Sequence, residues 1–176
     1  MKLINPPLPG VASEYHQRYI NLVSNQNVLS ILESQILDFK ALLSEVPFEQ
    51  EDYTYAEGKW TIKQLAGHLI DTERILVYRA MCIARGEKQS LPGFEENEYV
   101  ANASFHLRSL YDLGHEFGAV REATIQLFRY MTEEELDRKG VASNTGVTPR
   151  IILFMLAGHH IHHINVLRER YSEVLP

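Results

Sequence analysis

The chain has one cysteine, Cys82. No intrachain disulfide can therefore form, and the sequence reads as that of a protein from a reducing, cytoplasmic interior. Cys82 sits between Met81 and Ile83 and is expected to be a buried small hydrophobe. Long apolar runs are also missing. No stretch reaches the roughly 18 residues a membrane span needs, and M-K-L-I-N-P-P-L-P-G has too short an apolar run for a signal peptide. There is no excess of basic residues either. The formal net charge of −6 leaves no basic stripe to neutralise phosphates, which argues against a nucleic-acid binder. Strand signals are weak throughout, and internal repeats and low-complexity segments are absent. What remains is the composition of an ordinary globular domain, 45% hydrophobic and 23% charged.

Helical periodicity fills most of that domain. Residues 1–24, with three prolines and a glycine, read as an arm laid on the surface. From near Asn25, Val28, Leu29, Leu32, Ile36, Phe39, Leu42 and Leu43 recur largely at spacings of three and four, predicting an amphipathic helix that ends before Pro47. A second helix is predicted from Thr61, whose hydroxyl and Gln64 have capping-box spacing, to a stop at Gly86. A third is predicted over residues 104–131, with a capping box at Thr132 and Glu135 beyond it. The segment K-G-V-A-S-N-T-G-V has loop composition. Thr148 followed by Pro149 then marks the start of a fourth long helix, over residues 151–171. Four long helices joined by loops make an all-α four-helix bundle.

Four of the eight histidines fall in G-H-H-I-H-H, at His159, His160, His162 and His163 on the last helix. Residues four apart share a helix face, so His159 and His163 can bind one ion between them. Their stripe runs through Ile152, Leu156, Val166 and Leu167, which are core positions. Pairings of His159 with His162, or of His160 with His163, are the alternatives. His68, between Leu65 and Thr72 on the second helix, is the candidate third ligand. Three histidines leave one coordination position open on a divalent ion, the arrangement of catalytic rather than structural zinc. The competing readings are a satisfied core histidine for His68 and a solvated helix face for the cluster. His16, His106 and His115 show no mutual spacing and read as surface or packing residues. Asp71 and Glu73 read as helix-surface charges or ion-pair partners, with a carboxylate orienting a histidine as the alternative.

At these residues the chain resembles a known family. K-W-T-I-K-Q-L-A-G-H-L-I-D-T-E-R, with Trp60, His68, Leu69, Asp71 and Glu73, resembles the second-helix signature of the DinB-like (DNA-damage-inducible B) superfamily. The H-x-x-x-H of His159 and His163 resembles its last-helix motif, nearest to the branch of bacillithiol-transferase-like proteins and metal-dependent hydrolases. The resemblance covers residues 25–172, taken as one domain. It implies the up-down-down-up bundle of the DinB/YfiT-like fold, usually dimeric. It also implies one divalent ion per chain, of the zinc or nickel type, on His68, His159 and His163. His160 and His162 receive no ligand role, and Arg79 and Arg85 no chemistry.

The function implied is a thiol S-transferase, in which a low-molecular-weight thiol attacks a small-molecule electrophile in detoxification or stress response. Metal-dependent hydrolysis of a small substrate, or a non-catalytic metal-binding module, are the alternatives. No general base is assigned. Protonation of ligands through about pH 6 is expected to release the ion.

Overall fold

The Thr61 hydroxyl accepts from the Gln64 amide at 3.2 Å, while the Gln64 side chain accepts from the Thr61 N–H at 2.9 Å. This reciprocal cap opens α3 (Ile62–Ala84), the helix that carries His68. The computed structural model describes residues 2–23 and 26–175. The other long helices are α2 (Val28–Ser44), α5 (Leu110–Arg129) and α7 (Pro149–Arg170), each capped by a side chain: Asn27, Ser109 and Thr148. Shorter helices are α1 (Glu14–Ile20), α4 (Glu96–Asn102) and α6 (Glu133–Asp137).

Cross-helix pairs fix the directions. Gln35 meets Ala157 and Phe39 meets His160, so α2 and α7 run parallel. Gln35 meets Arg121 and Phe39 meets Phe117, so α5 runs against α2. Tyr171 bonds the Trp60 carbonyl and His68 faces His159, so α3 runs against α7. The bundle is therefore up-down-down-up. Its core divides into two apolar clusters. One is built on Leu32, Leu76, Phe128 and Ile152, the other on Phe39, Leu65, Phe117 and Leu167. A polar layer lies between them, with Gln35, Glu73 and Arg121 all buried.

Several expectations are corrected in detail. The third helix begins only after Ser109, because a 3-10 turn at Phe105–Leu107 precedes it. The stretch of loop composition forms a hairpin, β1 (Gly140–Ala142) with β2 (Thr145–Val147). Ser143 and Asn144 have φ of 50° and 59°, the left-handed pair that a two-residue hairpin turn requires. The hairpin is held by Leu91, whose N–H donates to the Val141 carbonyl at 2.9 Å. Cys82 is half-buried against the core.

The N-terminal segment holds a helix that periodicity alone did not reveal, seven residues being too short to show a stripe. Ile4, Tyr19 and Ile20 are buried, and α1 packs on α7. A Cβ on Gly158 would collide with the Tyr19 carbonyl, so glycine is what admits α1 to this distance. The expected boundary near Asn25 lies outside the described residues.

Candidate metal centre

Gly158 is followed directly by the first site histidine. His159 projects from α7 toward α3, where its Nε2 lies 3.2 Å from His68 Nε2. One turn on, His163 Nε2 lies 3.0 Å from the same His159 atom. These three side chains form a metal-type cluster, with ligand atoms all within 4.8 Å of one another. Of the pairings open on the sequence, the structure brings together 159 and 163 with 68. His160 points the other way, buried and stacked on Phe117 with ring centroids 5.1 Å apart. His162 is exposed and meets Tyr19 edge-on.

The donor set suits a cation. An imidazole nitrogen has one in-plane position, carrying either a hydrogen or a lone pair. His159 Nε2 can therefore form one hydrogen bond, yet two other ring nitrogens stand within hydrogen-bond distance of it. One contact is always left unmet in a metal-free cluster. A cation among three lone pairs satisfies all of them, and zinc–nitrogen bonds of about 2.0–2.1 Å place tetrahedral ligands about 3.4 Å apart. The neighbouring Thr72 hydroxyl lies 3.4 Å from His68 Nδ1 and can accept a hydrogen bond from its N–H.

Burial keeps the rings neutral. Desolvation lowers the His68 pKa to about 4. Desolvation first, then the neighbouring His68 and His162, lowers that of His163 to about 3. His159 is held well below its ordinary value by burial, with the three-ring cluster adding to the effect. All three therefore offer lone pairs at neutral pH.

The rings open onto a cavity of about 330 Å³. Trp60 tilts over His68 at a centroid distance of 4.6 Å and stacks on His163 at 6.4 Å. Leu76, Phe94, Ile152 and Met155 add apolar wall, while Tyr15, His16, Arg79, Glu96 and His162 add polar groups. The β-hairpin closes one side through Ala142, Ser143, Thr145 and Val147. His16 was read as a surface or packing residue, but the docking of α1 brings it to this wall. No spacing in the sequence could have signalled that.

Asp71 and Glu73 go separate ways. Asp71 is half-buried, 3.8 Å from Arg74. Glu73 is an ion-pair partner and not a surface charge: it is 1% exposed, and both its oxygens receive hydrogen bonds from Arg121 Nε at 2.8 Å. Arg121 also donates to Gln35, whose amide reaches the Ala157 carbonyl at 3.0 Å. This layer links all four long helices two residues before His159. It fixes where α7 sits against α3, and so where the imidazoles meet. Arg85 is exposed and pairs with Glu135.

This up-down-down-up bundle, with three histidines meeting between α3 and α7, has relatives among known proteins. Residues 31–167 match the model of the DinB superfamily, and the chain belongs to it. Over 117 residues it is 26% identical to a protein of Oceanobacillus iheyensis named as an inferred metal-dependent hydrolase, covering 66% of this chain and 67% of that one. YfiT from Bacillus subtilis, described as an inferred metal-dependent hydrolase with an unusual four-helix bundle topology, superposes with a TM-score of 0.72 at 18% identity, over 96% of this chain and 94% of its own. A mycothiol-dependent maleylpyruvate isomerase superposes with a TM-score of 0.64 at 16% identity, over 82% of this chain and 61% of its own. At such identities the structural likeness establishes the fold. No helix among the described residues is long and apolar enough to cross a membrane.

Proposed function

We propose that this chain is a metal-dependent enzyme, with His68, His159 and His163 as the ligands of one divalent ion, zinc or nickel, and that it transfers a low-molecular-weight thiol to a small electrophile. The observation that carries the reading is the convergence of three neutral imidazoles at the wall of a cavity of about 330 Å³. Names of relatives supply further support: one is called a metal-dependent hydrolase by inference, and one neighbour of the same fold is called mycothiol-dependent.

A divalent ion held there supplies a Lewis acid that lowers the pKa of a thiol or water bound to it. The chain's own residues do the rest. Neutral ligands leave the ion's charge undiminished, and Thr72 orients His68. Trp60, Phe94 and Leu76 exclude bulk water from the place where a thiolate attacks. In the transfer itself a carbon–sulfur bond forms and the thiol proton passes to solvent, while the carbon–halogen bond breaks with its electron pair leaving as halide, or the epoxide carbon–oxygen bond breaks and its alkoxide takes a proton from water. Among the described residues no carboxylate belongs to the cluster, and a thiol reaction needs none, since a thiolate requires no general base at the moment of attack.

Hydrolysis of a small substrate is the second reading, favoured by Glu96 and His16 on the same wall as candidate proton acceptors. The test is elemental analysis of protein purified without a histidine tag, followed by mass spectrometry of products from a thiol and a chloro-aromatic or epoxide. A thioether product supports transfer. Its absence, with ester or amide cleavage instead, rejects transfer for hydrolysis. Protein without metal that cannot take it up rejects both. The reading extends to a cytoplasmic homodimer, which light scattering checks for assembly.

A further inference from the structure

We propose that Arg79 anchors a carboxylate on the small molecule that fills the cavity, so that the ligand is an elongated acid whose reacting end lies at the histidines. The proposal names the ligand class and rests on reading this cavity as the substrate site.

Arg79 is only 7% exposed, yet no carboxylate lies within ion-pair distance of it among the described residues. Among the described residues its one hydrogen bond runs from Nη2 to the Pro92 carbonyl at 2.6 Å. Phe94 sits under its guanidinium, 5.6 Å from Cζ to the ring centroid. The other buried arginines among the described residues each have an acid: Arg121 has Glu73, and Arg150 has Glu133 and Asp137. A buried guanidinium without a counter-charge is costly unless something supplies one. Arg79 lines the cavity, and it is the only lysine or arginine among the described residues that does.

Its position on α3 adds geometry. Arg79 lies eleven residues after His68, three helical turns, so both occupy one face about 16 Å apart along the axis. Helical side chains lean toward the N-terminus, the end of α3 that carries His68. The anion it fits is a monoanion with two coplanar oxygens, because a single fork offers bidentate bonding. Glu96 on the same wall, with no second cation, disfavours a phosphate dianion.

The sole tryptophan, Trp60, lines the cavity and reports occupancy by fluorescence. The experiment titrates 4-phenylbutyrate and its neutral amide into EDTA-treated protein, where no metal can hold the carboxylate. Wild type is expected to bind the acid at least about tenfold more tightly than the amide. Arg79→Gln is expected to abolish that preference, and Arg79→Lys to keep part of it. Equal binding of acid and amide by wild type overturns the proposal. So does an undiminished preference in Arg79→Gln, or no binding of either probe. Should Arg79→Gln fail to fold, wild type and Arg79→Lys still decide, since no preference in either overturns it. A second pair, mercaptosuccinate and its dimethyl ester, is titrated into zinc-loaded protein. An Arg79-dependent preference for the acid assigns the carboxylate to the thiol, and equal binding beside a retained phenylbutyrate preference assigns it to the other substrate. Metal content, measured separately, tests the metal reading, which can fail without touching these results.

Discussion

Arg121 places its Nε 2.8 Å from both carboxylate oxygens of Glu73, with the two side chains 2% and 1% exposed. The pair crosses from α5 to α3 in the layer that separates the two apolar clusters. Removing one partner strands a buried charge, which costs about 3–5 kcal/mol. Glu73→Ala is therefore expected to lower stability by about that much, read as the shift in a urea unfolding curve. A change under about 1 kcal/mol would show that the layer does not hold the helices in register.

Metal content separates the histidines. His68→Ala, His159→Ala and His163→Ala are each expected to lose most bound metal while keeping native helical circular dichroism. Their core neighbours, such as Leu65, Leu156 and Leu167, remain in place. His160→Ala is expected to keep the metal but to unfold more easily, because it leaves a hole against Phe39 and Phe117. Unchanged stoichiometry in any of the first three rejects that residue as a ligand.

Gly158→Ala tests the docking of α1. The added methyl meets the Tyr19 carbonyl, so α1 must shift away from α7. Limited proteolysis is expected to cut near residues 14–20 faster, with loss of stability on the order of 1–3 kcal/mol for overpacking. Metal stoichiometry should persist, since none of the three site histidines lies on α1. Wild-type cutting rates in the variant would mean that the backbone contact is not what α1 depends on.

Acid should destabilise the metal-free protein early. His68 and His163 have native pKa values lowered to about 4 and about 3, against about 6.5 in an unfolded chain. Below about pH 6.5 the unfolded state binds protons that the folded state does not, so stability falls as pH drops toward the native values. For His68 alone the full loss is on the order of 3 kcal/mol. Metal release through pH 6, expected from ordinary imidazoles, accordingly moves to lower pH, because protons compete poorly for these buried nitrogens. Urea midpoints in EDTA from pH 7.5 to 4.5 give the check, and a flat profile between 7 and 5 contradicts it.

Much of the bundle was readable because its signals are local. The spacing of Val28 to Leu43, the capping box of Thr61 and Gln64, and Thr148 before Pro149 each act within one or two turns. His159 and His163 were readable as a pair because helix geometry alone puts residues four apart together. His68 was readable as a candidate from its buried-looking stripe, but nothing short of the fold could bring its ring to theirs.

The rest depended on distant contacts. Glu73 looks like any charge on a helix until Arg121, 48 positions away, is packed against it. His16 joins the cavity wall because α1 docks on α7, through a glycine whose neighbour in space is a carbonyl 139 residues earlier in the chain. Helices, their caps and the imidazoles available on each face follow from periodicity and short-range hydrogen bonding, so the order of residues is enough to set them. Which of those imidazoles meet, which charges are buried and what lines the cavity come from packing. Those outcomes are set by burial and close packing between segments that no local pattern connects.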